Sequence, residues 1–284
     1  MAGKRKDEHY PVVRQGRMDL TGAPTTPQVE INIEQYLSKV NRRLYRQSRF
    51  YSVKLDLDPD ATQTLDVFVL NDSWMTERAL KMAYEMYLEN SADERERLKE
   101  NAIARWEDFR VQSGLNFQVY NPVQYDNTLA PTQLASGEFT NTTVEDAAGV
   151  TRSFTWGTGT ATKYSIIEEY DKAGNAQSAP VTSTGDMPYD DLMADDSAVM
   201  AANLQNRGNK PPYDENGVNA DRQWVKVATL GTGATQRLST GFFKAPCGIV
   251  AIAEAGGAIV TGGKLAWTVK SGDYKGVHAP SMLE

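Results

Sequence analysis

The residues able to do chemistry are scarce in this chain and stand far apart. The stretch GFFKAPCGIVAIAEAGGAIVTGGK, Gly241 to Lys264, comes nearest to a known device. A phosphate-cradling loop reads G-x-x-x-x-G-K-[ST] and opens a helix, because its glycines let backbone N–H groups close on the phosphates. Here Ala258 stands in place of the first glycine, Leu265 in place of the hydroxyl residue, and KLAWTVK alternates like a strand. A nucleophilic cysteine needs a base and an orienting group. The chain's two histidines, His9 and His278, lie in the N-terminal segment and the C-terminal tail, far from Cys247 in sequence. Cys247 is therefore expected to be a small buried thiol in a strand.

The same histidine count argues against Ser-His-Asp catalysis and against histidine-rich metal sites. Glu168 and Glu169 are neighbours in an expected strand and would point to opposite faces. Asp191 and Asp195 suit helix capping. DENGVNAD offers Asp214, Asn216, Asn219 and Asp221 as weak calcium candidates, without the full loop spacing or the closing Glu. With no catalytic set, the chain is expected not to be an enzyme and to need no cofactor.

Charge gives the clearer signal. Residues 1–54 hold eleven Lys and Arg against five acids, whereas the whole chain carries −7. A basic start on an acidic body suggests an anionic partner. The candidate nucleic-acid contacts are Lys4, Arg5, Lys6, Arg14 and Arg17, with Arg42, Arg43, Arg46 and Arg49 at the arm's base. Aromatics interleave with bases in RRLYRQSRFY, which fits nucleic-acid stacking or the start of a strand.

The elements that must carry these residues are mainly β. Residues 1–48 read as an extended basic arm with a short helix near Ile33–Tyr45. RFYSVKLDL and LDVFVL alternate around DPDATQ, which predicts a β-hairpin. A helical insertion is expected over 74–113, broken at a Ser91/Glu94 capping box. Its stripes are Met75, Ala79, Met82, Ala83 and Met86, then Leu98, Ala102, Trp106 and Phe109. Strands follow at Leu115–Tyr120, Thr151–Trp156, Thr162–Tyr170 and Ala176–Thr182, the last two joined by a turn at Gly174–Asn175. A helix capped at Asp195–Ser197 is expected next, and then strands in QWVKVATL, TQRLSTGFFKAP, CGIVAIAE and GKLAWTVKSG. No apolar run approaches the ~18–20 residues that cross a bilayer.

This layout resembles the jelly-roll coat proteins of small icosahedral viruses. The resemblance rests on MAGKRK and RRLYRQSR at the start, the helical insertion, and the closing strands around GFFKAPCGIVAI and KLAWTVKS. It implies a single jelly-roll-like β-sandwich over 49–284 and a protein that self-assembles into an icosahedral shell. The partners it implies are other copies, the viral genome through the arm, and other virion proteins. Such a chain would be made in the host cytoplasm and reside in the virion. A tailed-phage shell protein shares the order arm, hairpin loop, long helix. A non-viral β-sandwich binding or adhesion module is the third reading.

Overall fold

The computed structural model describes residues 11–19, 28–58, 64–100, 108–115, 118–119, 122–134, 139–145, 149–175, 223–233, 237–254 and 264–284. The protein is mainly β, with several antiparallel sheets and few helices. Its strands are β1 (Gln15–Asp19), β2 (Gln28–Asn32), β3 (Phe50–Leu57), β4 (Leu65–Leu70), β5 (Gln118–Val119), β6 (Val123–Tyr125), β7 (Pro131–Gln133), β8 (Thr143–Glu145), β9 (Thr151–Thr155), β10 (Lys163–Ser165), β11 (Trp224–Leu230), β12 (Ser239–Pro246), β13 (Ile249–Glu254) and β14 (Lys264–Val269). The helices are α1 (Ile33–Asn41), α2 (Trp74–Asn90), α3 (Ala92–Glu100) and α4 (Ile166–Asn175). No described helix is long and apolar enough to cross a membrane.

Alternation explains the two main sheets. Tyr51, Val53, Leu55 and Leu57 of β3 point inward, as do Leu265, Trp267 and Val269 of β14. From the other sheet Val29, Ile31, Leu65, Val67, Val250 and Ile252 meet them in one core. The two sheets run β12-β3-β14-β1-β6-β7 and β11-β4-β13-β2-β5. Within them the first strand pairs with the last, β1 with β14, and β2 pairs with β13. Likewise β3 pairs with β12 and β4 with β11, each antiparallel. Tyr36 of α1 closes edge-on against Trp267, with ring centroids 5.2 Å apart. Gly16 lies opposite Trp267 in the β1–β14 register, where a Cβ would collide with the indole.

A second core lies under the insertion between β4 and β11. Ala79, Leu80 and Ala83 of α2 meet Phe109, Val111, Phe154, Trp156, Ile166, Ile167, Cys247 and Met282. A small sheet, β10-β9-β8, belongs to this layer.

Several expectations are corrected. β3 and β4 form where alternation puts them but do not pair with each other; they lie in different sheets. Alternation reports one buried face per strand and not its neighbour, so two strands facing across a core read like a hairpin. The expected arm is not wholly an arm, since β1, β2 and α1 sit in the sandwich and bury Met18, Val29, Ile31 and Leu37. The helical insertion ends earlier than 113: residues 108–115 are not helical and Phe109 is buried outside any helix. Met82 and Met86 are exposed, and Leu80 and Thr76 are buried in their place. The break at Ser91 is present, but its Oγ donates to Tyr87 O at 2.6 Å. The expected strand Thr162–Tyr170 becomes α4 from Ile166 onward, and Gly174–Asn175 closes that helix and not a hairpin. Ser165 explains the change, because its Oγ accepts from Glu168 N at 3.4 Å, as a helix N-cap does. Ala102, Trp106, the strand at 176–182 and the helix at 195–204 lie outside the described residues.

Candidate anion-binding surface

The loop that follows α1 carries four of the expected cations, and the fold holds it firmly. Arg42 caps α1 in the left-handed region at φ 50°. Ser38 Oγ accepts from Tyr45 N at 2.8 Å, and Tyr51 OH donates to Arg46 O at 2.7 Å. Gln47 exchanges two hydrogen bonds with Val111, donating from Nε2 at 3.0 Å and accepting from its N–H at 2.6 Å. The loop therefore cannot swing freely.

Against it lies the tight hairpin Tyr274–Val277, whose ends exchange two backbone hydrogen bonds at 3.0 and 2.9 Å. Lys275 and Gly276 occupy its centre at φ 49° and 88°. Two positive values in succession mark a type I′ turn. Tyr45 and Tyr274 meet edge-on, with ring centroids 6.0 Å apart. The Arg49 guanidinium stacks over Tyr274 at 3.7 Å and donates from Nη1 to Ala279 O at 2.8 Å. Arg46 N donates to the Tyr274 hydroxyl at 3.3 Å. Lys275 Nζ donates to Leu44 O and lies 5.4 Å from the Tyr274 ring. Arg14, just before β1, reaches Gly276 O from Nη1 at 3.4 Å.

Three cationic side chains, Arg14, Arg49 and Lys275, thus reach the hairpin or its tyrosine pair. Burial lowers the Lys275 pKa, and the charges of Arg46, Arg49 and Arg43 lower it further. Among the described residues none of Arg42, Arg43, Arg46, Arg49 and Lys275 forms an ion pair. The nearby acid Asp108 is buried and bound to Arg110, Oδ2 to Nη1 at 3.1 Å. This surface can attract an anion, and its partly exposed Tyr274 ring adds a stacking face.

The other expected contacts fall elsewhere. Arg17 pairs with Asp58 at 3.5 Å. Lys4, Arg5 and Lys6 lie outside the described residues, as do Asp214, Asn216, Asn219 and Asp221. Among the described residues no three acids, histidines or cysteines gather as a metal site would. Lys275 and Tyr274 were missed by sequence reasoning because some 230 residues separate them from the loop they join. The KG pair at the centre of YKGV was a usable turn signal.

Beneath this surface lies an ionic clamp. Arg110 Nη2 donates to Glu34 Oε1 at 2.6 Å, and both side chains are buried. Burial pushes the Glu34 carboxyl up to about 7 despite Arg110, and Asp108 up to about 6 for the same reason. For Arg110 burial works downward, but the two carboxylates outweigh it and raise its pKa.

Cys247 is fully buried, with its thiol 3.8 Å from Met282 Sδ and its pKa raised well above the usual range by burial. It sits in a turn and not in a strand, since Gly248 N donates to Ala245 O at 3.1 Å across Pro246 and Cys247. A buried, protonated thiol is chemically inert. Glu168 and Glu169 lie in the first turn of α4, favourably placed for the helix dipole.

No protein-family model matches the chain, and no curated protein or solved structure gives a significant match to it.

Proposed function

We propose that the chain is a viral major capsid protein, a single jelly roll that self-assembles into an icosahedral shell around the genome. The observation that carries this reading is the strand pairing. With the short edge strands β5, β6 and β7 set aside, the remaining eight strands of the two sheets, numbered in chain order, pair one with eight, two with seven, three with six and four with five. A long hairpin rolled on itself would give that order, which supports the jelly-roll reading. The space between the sheets is filled by side chains as large as Trp267, Tyr36 and Tyr51, as befits a scaffold. Contacts between copies would use exposed apolar residues on the edge strands, Val225 and Val227 of β11 and Phe242 of β12.

The tailed-phage alternative relied on a hairpin loop before the long helix, and β3 and β4 do not form one. Size-exclusion chromatography with light scattering, followed by electron microscopy of the high-mass fraction, tests the proposal. Closed particles of uniform diameter are expected. A monomer under every salt and pH condition tried would sink it and favour the binding-module reading.

A further inference from the structure

We propose that the loop Arg42–Arg49 and the hairpin Tyr274–Val277 together form a binding site for the phosphate backbone of single-stranded nucleic acid. The site belongs to the folded body and not to the extreme N-terminus. The proposal rests on the shell-protein reading only for the identity of the partner.

Two independent observations support it. The first is charge. The Arg49 guanidinium lies over the Tyr274 ring at 3.7 Å, Lys275 Nζ lies 5.4 Å from the same ring, and Arg14 Nη1 reaches Gly276 O at 3.4 Å. Burial and the charges of Arg46, Arg49 and Arg43 lower the Lys275 pKa, and Asp108 opposes them. Like charges gathered on a rigid surface repel, and a bound anion would relieve that repulsion. A backbone with regularly spaced phosphates meets several cations at once, which a single small anion cannot. The partly exposed Tyr274 ring, backed by the buried Tyr45, gives a base a sequence-tolerant surface to lie on.

The second observation is backbone strain. Among the described residues four non-glycine positions have positive φ, and two of them, Arg42 and Lys275, are cations of this surface. The first centre of a type I′ turn favours Asn, Asp or Gly. Lysine is strained there where asparagine would not be, and its Nζ is held at Leu44 O, which fixes a charge at the tip of the hairpin beside the arginine loop.

The test uses the full-length chain and a fluorescently labelled oligothymidylate, with anisotropy read across a salt series. Counterion release makes log affinity fall with log salt by about 0.7 for each phosphate neutralised on a single strand. Arg43→Gln, Arg46→Gln and Lys275→Asn combined should flatten that slope by about 2 and weaken binding about tenfold or more at low salt. Lys275→Asn alone should flatten it by about 0.7 while the melting temperature holds or rises, which keeps the test decisive if the triple variant misfolds. A Lys4→Gln, Arg5→Gln, Lys6→Gln variant should keep most of the slope. An unchanged slope in the body variants, or a slope abolished by the arm variant, would overturn the site. Binding to phosphatidylserine vesicles without binding to the oligonucleotide would overturn it too. Because binding is read whether or not particles form, absence of shells with binding intact would remove only the shell-protein reading.

Discussion

At Cys247 the backbone asks for something smaller than the residue it holds. Its φ is 59° and that of Gly248 is 69°, with Pro246 before them. Proline followed by a left-handed residue is a type II turn, and here it carries the chain from β12 in one sheet to β13 in the other. A cysteine lying in a strand would accept Ala and Val alike; this one should not. Cys247→Ala loses a small buried group and should cost about 1 kcal/mol. Cys247→Val adds a branched side chain at positive φ and should cost a further 1–3 kcal/mol, roughly. Urea unfolding of the two variants gives the comparison, and equal midpoints would rule out the strained turn.

Between elements, the Glu34–Arg110–Asp108 clamp joins α1 to the segment that leads into the second core. Burial raises both carboxyls, so the folded protein takes up protons that the unfolded chain does not. The stability they contribute is fully present below the unfolded values near 4 and is lost as pH rises through about 6 and about 7. The groups facing them are Arg110, Arg46, Lys39, Tyr51 and Glu30, and of these Glu30 is raised in the same direction. The melting temperature should therefore climb as pH falls from 8 to 5, with each pKa unit worth about 1.4 kcal/mol. Glu34→Gln should flatten the climb; a variant as steep as the parent would show that Glu34 does not titrate there. None of this was legible in the sequence, because 76 residues separate Glu34 from Arg110. Strands β3, β4, β9 and β11–β14 were legible, since each alternates or is flanked by turn residues. Their partners were not, because the pattern within one strand says nothing of its neighbour. Helix α4 was hidden for a different reason: S-I-I-E at Ser165–Glu168 spells an N-cap, but the threonine-rich surroundings outweighed it.

For the whole molecule, the revision of the arm changes what a truncation does. Deleting residues 2–10 should leave a cooperatively folded protein. Deleting residues 2–30 removes β1 and most of β2, with Met18 and Val29 from the core, and should yield aggregated or unfolded chain. Circular dichroism melts of the two truncations distinguish the cases, and a sharp melt from the longer deletion would show that β1 is dispensable. The pairing of first strand with last has one more consequence, this time in time and not in space. β1 leaves the ribosome some 250 residues before its partner β14 exists, as the register Gln15–Thr268 requires. The β1–β14 ladder cannot form until β14 has been made, and such contacts are the long-range kind that fold in milliseconds to seconds. Until β11 to β14 are made, the inward faces of β2, β3 and β4 stay open beside those of other nascent chains. Early encounters between copies thus compete with folding itself, for as long as β1 waits for β14.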